Sequence, residues 1–430
     1  MGLKRKAEEI ANIIEKQEKV IIVSHSDADG IAGASIAKKA LEERGIDYEI
    51  KFVKYINRKF LKKYRERENF TWFIDVGNGN IKEIKELQIN CVISDHHFSN
   101  EEYDKSLNPF FYGIDGEAEI SASGLAHIIS SCLSTGDANI AIIGAIGDLQ
   151  DMSGKLIGIN REILLSSTID IKRDLRIYGR DKPLYQMLAH SSSPFIPGLF
   201  KRYKNTIAFL KSLQIPHQKK WNELNEEEKR IVLSSIIKKL IEKGFGYNYI
   251  SSLFGEVYEI DGKDVRDYST LLNAMARCGY SRMAVDVCIK WEYKKAENIL
   301  KEYRNKLNKY INFAKEKIDE YGHVQYFHGG NYIADTVVGT VAGMIVKDGE
   351  VHSPVIAFAE NEEGIKVSAR APSFLIEKGI NLSKAVSKSA KLLGGEGGGH
   401  RSAAGAIIPK GMEEDFLYIF NEEIRNQLTL

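Results

Sequence analysis

Long apolar runs are missing from this sequence. No stretch approaches the roughly 20 uninterrupted apolar residues of a membrane span, so no membrane partner is expected. The N-terminal MGLKRKAEEIANII has basic residues but no long apolar core after them, so no signal peptide is read there. Lys6 stands where a myristoylation site would place Ser or Thr. Cysteine is scarce as well: Cys91, Cys132, Cys278 and Cys288 are scattered with no CxxC pair. That excludes a disulfide or zinc framework and fits small buried thiols in a reducing, cytoplasmic setting. Excess charge of one sign is also absent, with 60 basic against 59 acidic residues and a net charge of +1. A nucleic-acid partner would therefore have to be held by a local basic surface rather than a global field. Glutamine is sparse beside Lys, Glu and Ile, a composition that leans towards a thermophile. There is no internal repeat and no low-complexity tail.

What remains is an ordinary globular composition, 43% hydrophobic and 28% charged, in 430 residues, long enough for two or three domains. The first 150 residues alternate short apolar runs with amphipathic stretches. Val20–Val23, Trp72–Val76 and Cys91–Asp95 read as strands, while Ile31–Ala37 and KEIKELQ read as helices. This alternation predicts an α/β fold around a mostly parallel sheet, whose chemistry gathers at the carboxyl ends of its strands. From about Pro197 to Tyr310, long Lys/Glu-rich segments such as EEEKRIVLSSIIKKLIEKG predict a helical region. After His323 a mixed α/β pattern returns, with Pro354–Ala359 and Ile365–Arg370 expected to form a hairpin around Asn361 to Gly364. The expected boundaries are 1–195, 196–310 and 311–430.

Acidic and histidine residues close the apolar runs. His25-Ser26-Asp27-Ala28-Asp29-Gly30 follows the first, Asp75 the second and Asp95-His96-His97 the third, and Asp148 ends the apolar segment Ala141–Gly147. Alone, a DxDG is usually a turn and an Asp-His-His a surface cluster. Converging at one sheet edge, however, unpaired carboxylates would titrate upward unless cations neutralised them. Mixed Asp and His ligands suit Mn²⁺ first, with Mg²⁺, Co²⁺ or Zn²⁺ also fitting. Two such ions could activate water for an in-line phosphoryl displacement. A second feature is Gly394-Gly395-Glu396-Gly397-Gly398-Gly399-His400, read either as a flexible linker or as a backbone anion site with His400 and Arg401 as added donors. It lacks GK[ST] and so is not a nucleotide P-loop. Ser121-Ala122-Ser123-Gly124 reads as a helix cap, with its N-terminus either facing phosphate or simply capped. His127, His190, His217, His323, His328 and His352 read as structural or surface residues.

These four groups resemble motifs I to IV of the DHH phosphoesterase superfamily, and Gly397-Gly398-Gly399-His400 resembles the GGGH loop of the DHH-associated domain. The resemblance implies a parallel-sheet DHH domain, a helical insertion and a smaller mixed α/β DHH-associated domain. By resemblance, Asp27, Asp29, Asp75, His96 and Asp148 are ligands of two divalent metal ions, with Asp75 the bridge. His97, His25 and Asp95 form the catalytic set: His97 near the scissile phosphate, Asp95 orienting a histidine. His25 lies two residues before Asp27, whereas small pyrophosphatase and oligonucleotide-degrading members place a ligand His four before. Arg370, Gly397, Gly398, Gly399, His400 and Arg401 resemble phosphate-binding residues, with Arg370 otherwise read as a surface ion pair. Their place in another domain implies a cleft between lobes.

Ser191–Leu199, Trp221–Asn225 and Arg266–Asn273 are similar to segments of archaeal RecJ-like nucleases. The implied activity is single-strand-specific exonuclease on DNA, RNA or both, with the GINS complex of the replicative helicase as a possible partner. Two alternatives stand beside it. One is a phosphodiesterase for very short RNAs or cyclic dinucleotides. The other is a replication-fork scaffold, like the RecJ-derived subunit of the eukaryotic replicative helicase.

Overall fold

The protein is described by a computed structural model covering residues 2–65, 69–191, 194–347 and 351–428. Of the segment Ser191–Leu199, Ser192 and Ser193 lie outside the described residues. The chain forms two compact units, one of Met1–Met187 with Phe209–Leu300 and one of Leu188–Ala208 with Lys301–Leu430.

The first unit is built on five parallel strands: β1 Lys19–His25, β2 Asp47–Val53, β3 Phe70–Ile74, β4 Cys91–Ser94 and β5 Ser106–Leu107. Their spatial order is β2-β1-β3-β4-β5. Val20 to Val23 are wholly buried because helices cover both faces of β1, which is why the run reads as uniformly apolar. On one face, Ile21, Val23, Phe73 and Ile93 share a core with Leu61 and Tyr64 of helix Arg58–Arg65 and with Ile81 and Ile84 of helix Ile81–Glu86. Helices Ala28–Arg44, Ala122–Leu133 and Ala138–Gly147 pack on one another, and the first two also pack on the sheet. The strand order reverses between β1 and β3. This is the switch point at which helices diverge to opposite faces and leave a crevice beyond the carboxyl ends.

The apolar run ending at Asp148, which has no assigned element in the sequence, is a helix, Ala138–Gly147, capped by the Asp137 side chain and buried on nearly all sides. Burial all round removes the periodicity that separates a helix from a strand. One expectation is corrected in this unit: the middle region is not wholly helical. Strands β7 Phe254–Ile260 and β8 Lys263–Asp264 join β6 Asp170–Leu175 in an antiparallel sheet of order β6-β7-β8. The β7–β8 turn is Asp261-Gly262, with φ +50° and +74°. A two-residue Asp-Gly hairpin of this kind is a sequence signal that the Lys/Glu-rich surroundings masked.

The second unit carries a six-stranded mixed sheet of order β13-β14-β12-β11-β10-β9. Its strands are β9 Asp319–Tyr321, β10 Val324–His328, β11 Val355–Asn361, β12 Gly364–Arg370, β13 Glu396–Gly399 and β14 Ala403–Ile408. The expected hairpin forms, with Asn361 opposite Gly364. Ile356, Phe358 and Val367 pack against Phe416 and Phe420 of helix Glu413–Leu428, while helix Asp335–Lys347 lies on β11 and β12. The glycine stretch is corrected too: Glu396–Gly399 is not a loop but an edge strand paired with β14. A Cβ at Gly397 would stand 2.8 Å from the Cβ of Ala406 and 3.1 Å from Cγ1 of Val386, so the glycines let β13 lie close over its neighbours. Among the described residues no helix is long and apolar enough to cross a membrane.

Candidate metal centre

Each acidic group stands where a strand or helix ends. β1 stops at His25, and Asp27 then caps helix Ala28–Arg44, accepting the Gly30 N–H at 2.9 Å. A Cβ at Gly30 would lie 2.2 Å from the His25 carbonyl oxygen, so only glycine permits this tight turn. Asp29, in the first helical turn, is 1% exposed. Its Oδ2 accepts the Ala122 N–H at 2.7 Å and its Oδ1 the Ser123 N–H at 3.1 Å. The helix N-terminus behind Ser121-Ala122-Ser123-Gly124 thus faces the Asp29 carboxylate, and Ser121 accepts the Gly124 N–H as an ordinary cap.

Asp75 follows β3 with φ +60°, in the left-handed region that Asp tolerates better than most residues. Its Oδ2 lies 3.3 Å from His25 Nδ1, and its Oδ1 lies 3.4 Å from His96 Nε2 and 3.8 Å from His97 Nδ1. His96 Nδ1 is 2.6 Å from the Gly116 carbonyl. Donation to that carbonyl puts the proton on Nδ1 and leaves the Nε2 lone pair towards Asp75 and Asp148, the orientation a metal-binding histidine needs. Asp148 ends helix Ala138–Gly147 with its Oδ2 3.6 Å from the same Nε2. Three triads result: Asp75, His96 and His97; His25, Asp27 and Asp75; and Asp29, His96 and Asp148. Within each, the potential ligand atoms lie within 4.8 Å of one another. Asp75 and His96 are each shared by two triads.

The electrostatics fit a cation. Burial, reinforced by the charge of Asp75, pushes Asp29 up to about 6. Burial of the Asp148 carboxyl pushes it up to about 7, His96 opposing and the charges of Asp29, Asp75 and Asp27 adding to the rise. Burial works against the ionised form of Asp27 too, but His25 and the Gly30 N–H outweigh it and hold that carboxyl low. Asp75 Oδ1 is buried without a hydrogen-bond partner, and His25 Nδ1 lies 2.8 Å from Asp27 Oδ2. Crowded carboxylates with an orphaned ligand atom are what divalent ions neutralise, so the donor set fits the expected metals.

Asp95 serves differently. It is 2% exposed; its Oδ2 accepts the Asn78 N–H at 2.9 Å, and its Oδ1 lies 2.7 Å from His97 Nδ1. The hydrogen bond that His97 Nδ1 donates to Asp95 raises the pKa of His97, whose side chain is 61% exposed. Several supporting residues escaped the sequence reading. Asn78 and Asn108 donate to the His97 carbonyl, each at 3.1 Å. Gln150 donates to the Gly116 carbonyl at 2.8 Å and to Asp148 at 3.2 Å. Asn273 accepts the Ala28 N–H at 3.0 Å, between two of the acidic residues. Beyond it, the Ser281 and Ser26 hydroxyls meet at 2.8 Å. A polar residue two places after Asp148 was a readable signal for Gln150; nothing local marks Asn273.

Arg370, Gly397, Gly398, Gly399, His400 and Arg401 belong to the second unit. Arg370 donates to the Ala369 carbonyl at 2.7 Å and to that of Ala404 at 3.4 Å. It lies along Gly339 and Gly343, where a Cβ at Gly339 would stand 2.8 Å from Nη2. His400 and Arg401 are exposed in the tight turn between β13 and β14.

Comparison with known proteins agrees with this layout. The chain matches the DHH family N-terminal domain over residues 19–146, the DHH-CID domain over 177–254 and the DHHA1 domain over 319–426. An uncharacterized protein of Methanocaldococcus jannaschii is 31% identical over 429 residues, covering 95% of this chain and 93% of the relative. Among solved structures, CDC45 from Entamoeba histolytica has a TM-score of 0.65 at 12% identity, with 98% and 99% of the two chains covered. RecJ from Thermus thermophilus, in complex with Mn²⁺, has a TM-score of 0.61 at 16% identity; the match covers 99% of this chain and 55% of that RecJ. Another exonuclease RecJ bound to manganese has a TM-score of 0.58 at 15% identity, with 99% of this chain and 94% of that one covered. With three domains matched in order and a relative aligned over nearly its full length, this chain belongs to the DHH family and carries its RecJ-like phosphoesterase fold.

Proposed function

We propose that the protein is a metal-dependent single-strand exonuclease that releases mononucleotides from DNA, RNA or both. The observation that carries this reading is the set of three overlapping Asp/His triads sharing Asp75 and His96 at the switch point of the parallel sheet. Asp27, Asp29, Asp75, His96 and Asp148 would hold two divalent ions, Mn²⁺ first and Mg²⁺ or Co²⁺ next, with Asp75, common to two of the triads, as the proposed bridge. Such ions supply Lewis acidity towards a phosphodiester and lower the pKa of water.

The protein's own residues do the rest. The Gly116 carbonyl fixes the His96 tautomer, and Asp95 fixes that of His97. With Asp95 on its Nδ1 and its pKa raised by that hydrogen bond, His97 can donate an Nε2 proton to a leaving oxygen or stabilise charge on phosphate. His25, between Asp27 and Asp75, orients both carboxylates. Arg370, His400, Arg401 and the backbone of Gly397 to Gly399 are the proposed phosphate contacts of the second unit. The extent of the likeness to CDC45, over nearly the whole of both chains, favours a second role at the replication fork, with GINS as the proposed partner.

End-labelled single strands of about 20 nucleotides, incubated with Mn²⁺ or Mg²⁺, test the activity. Stepwise shortening to mononucleotides is expected. An inert 20-mer with cleaved dinucleotides would move the reading to the short-RNA or cyclic-dinucleotide class. Asp27→Ala and His96→Ala should each abolish hydrolysis, a loss on the order of 10³-fold or more, with circular dichroism unchanged. Full activity in both would sink the site assignment.

A further inference from the structure

The chain as a whole is charge-balanced, yet residues 54–65, KYINRKFLKKYR, carry Lys54, Arg58, Lys59, Lys62, Lys63 and Arg65 and no carboxylate. All six cations are exposed. The segment leaves the sheet beside the metal centre. Val53, the residue before it, pairs with His25 across β1 and β2, and its carbonyl accepts the Ser26 N–H at 3.0 Å. Asn57 then caps the turn through the Phe60 N–H at 2.9 Å, and helix Arg58–Arg65 begins.

The apolar side of this helix is spoken for. Leu61 is 0% exposed and Tyr64 4%, both packed into the core under β1 and β3. That anchoring turns the basic side outward. Arg58 meets exposed Glu86 at 2.6 Å. Lys59, Lys62 and Lys63 form no ion pair among the described residues. A solvated charged face is the usual reading of such a run, but interspersed signs are the rule on soluble surfaces, whereas the charges of residues 54–65 are all positive and, among the described residues, Arg58 alone of the helix cations is ion-paired, with Glu86. A single-sign strip starting at a site built for phosphate chemistry attracts a polyanion. An anionic membrane fits less well, because a helix of this kind binds by inserting an apolar face, and here that face is buried.

We propose that residues 54–65 are the electrostatic track along which a single-stranded nucleic acid reaches the metal centre. Lys59, Lys62 and Lys63 take successive phosphates, and Tyr55, 42% exposed, offers a ring to a base. The helix is about 12 Å long, room for two or three phosphates of an extended strand. The proposal rests on the nuclease reading above and adds a surface that reading does not need.

The test uses the full chain and a fluorescent single strand of about 20 nucleotides, with Ca²⁺ in place of Mn²⁺, titrated by anisotropy over a range of KCl. The triple variant Lys59→Gln/Lys62→Gln/Lys63→Gln should bind at least about tenfold more weakly near 0.1 M salt. Its slope of log K against log salt should fall by about 2, the contribution of three single-strand phosphate contacts. A control, Lys229→Gln/Lys238→Gln/Lys243→Gln, removes equal charge elsewhere and should bind like the parent. Equal affinity and slope for the triple variant and the parent would overturn the track while parental cleavage with Mn²⁺ keeps the nuclease reading standing. A parent that neither binds nor cleaves single strands would bring down both. Lysine-dependent binding to phosphatidylserine vesicles with no lysine-dependent binding to the strand would assign the surface to membranes and likewise overturn the track.

Discussion

Asp75 holds a left-handed backbone conformation, φ +60°, while its side chain is nearly inaccessible. Strain of this kind persists only where the surroundings fix it; here the Asp75 N–H donates to the Ser94 carbonyl at 3.0 Å. The result is a carboxylate aimed at three histidines from one backbone position. Asp267 shows a different consequence of burial. It is 6% exposed, its Oδ1 lacks a hydrogen-bond partner, and burial together with the nearby charge of Asp264 pushes it up to about 7. Its folded pKa therefore lies above that of the unfolded chain, near 4. The carboxyl is comfortable when protonated, and its ionisation costs stability progressively as pH rises from about 4 to 7. Asp267→Asn should thus raise the unfolding free energy from urea titration over the parent at pH 8, by a few kcal/mol at most, and by much less at pH 5. An equal difference at both pH values would show that Asp267 titrates normally.

At the scale of elements, the turn that carries Asp27 and Asp29 is contacted by a helix far away in sequence. Helix Val265–Arg277 packs on helix Ala138–Gly147, and its Asn273 accepts the N–H of Ala28, between Asp27 and Asp29. At its other end, Arg266 and Arg176 both reach the buried Asp151 just beyond Asp148. Burial opposes the charge on Asp151, but the two guanidiniums hold its carboxyl low. One helix thus steadies the first and last acidic groups together. Supporting contacts of this type typically change metal affinity 10- to 100-fold. Asn273→Ala should weaken Mn²⁺ binding by about tenfold in calorimetric titration, with Asn273→Asp less predictable in charge and so the poorer probe. Unchanged Mn²⁺ affinity would mean that the Asp27–Asp29 turn is rigid without this contact.

For the whole molecule, a metal that binds only the folded first unit should stabilise it by mass action. Mn²⁺ at about 100 times its Kd corresponds to about 2.7 kcal/mol, and the thermal midpoint should rise accordingly and fall back on adding EDTA. Asp75→Ala should lose that shift, and a shift retained in Asp75→Ala would place the metal elsewhere. Much of this molecule was legible in its residues. The buried runs Val20–Val23 and Cys91–Ser94 marked parallel strands, and the acidic and histidine groups behind them come together beyond the carboxyl ends of the sheet. The hairpin at Asn361 to Gly364 was equally local. Less could be read where burial erased periodicity, as in helix Ala138–Gly147, or where charge-rich neighbours hid a two-residue turn, as at Asp261-Gly262. The glycine run reads as a loop in the sequence because composition records the missing side chains but not the neighbour that fills their space, here Ala406 across the ladder. The sequence by itself determined that the groups following β1, β3 and β4 meet at the sheet edge, since parallel strands bring their ends together by geometry, while Asp148 arrives on a helix. Only the tertiary structure decided that Gly116 would fix the tautomer of His96 and that Asn273 would hold the turn at Ala28. Such contacts join residues distant in the chain, and they exist only once packing has placed the two partners within hydrogen-bonding range.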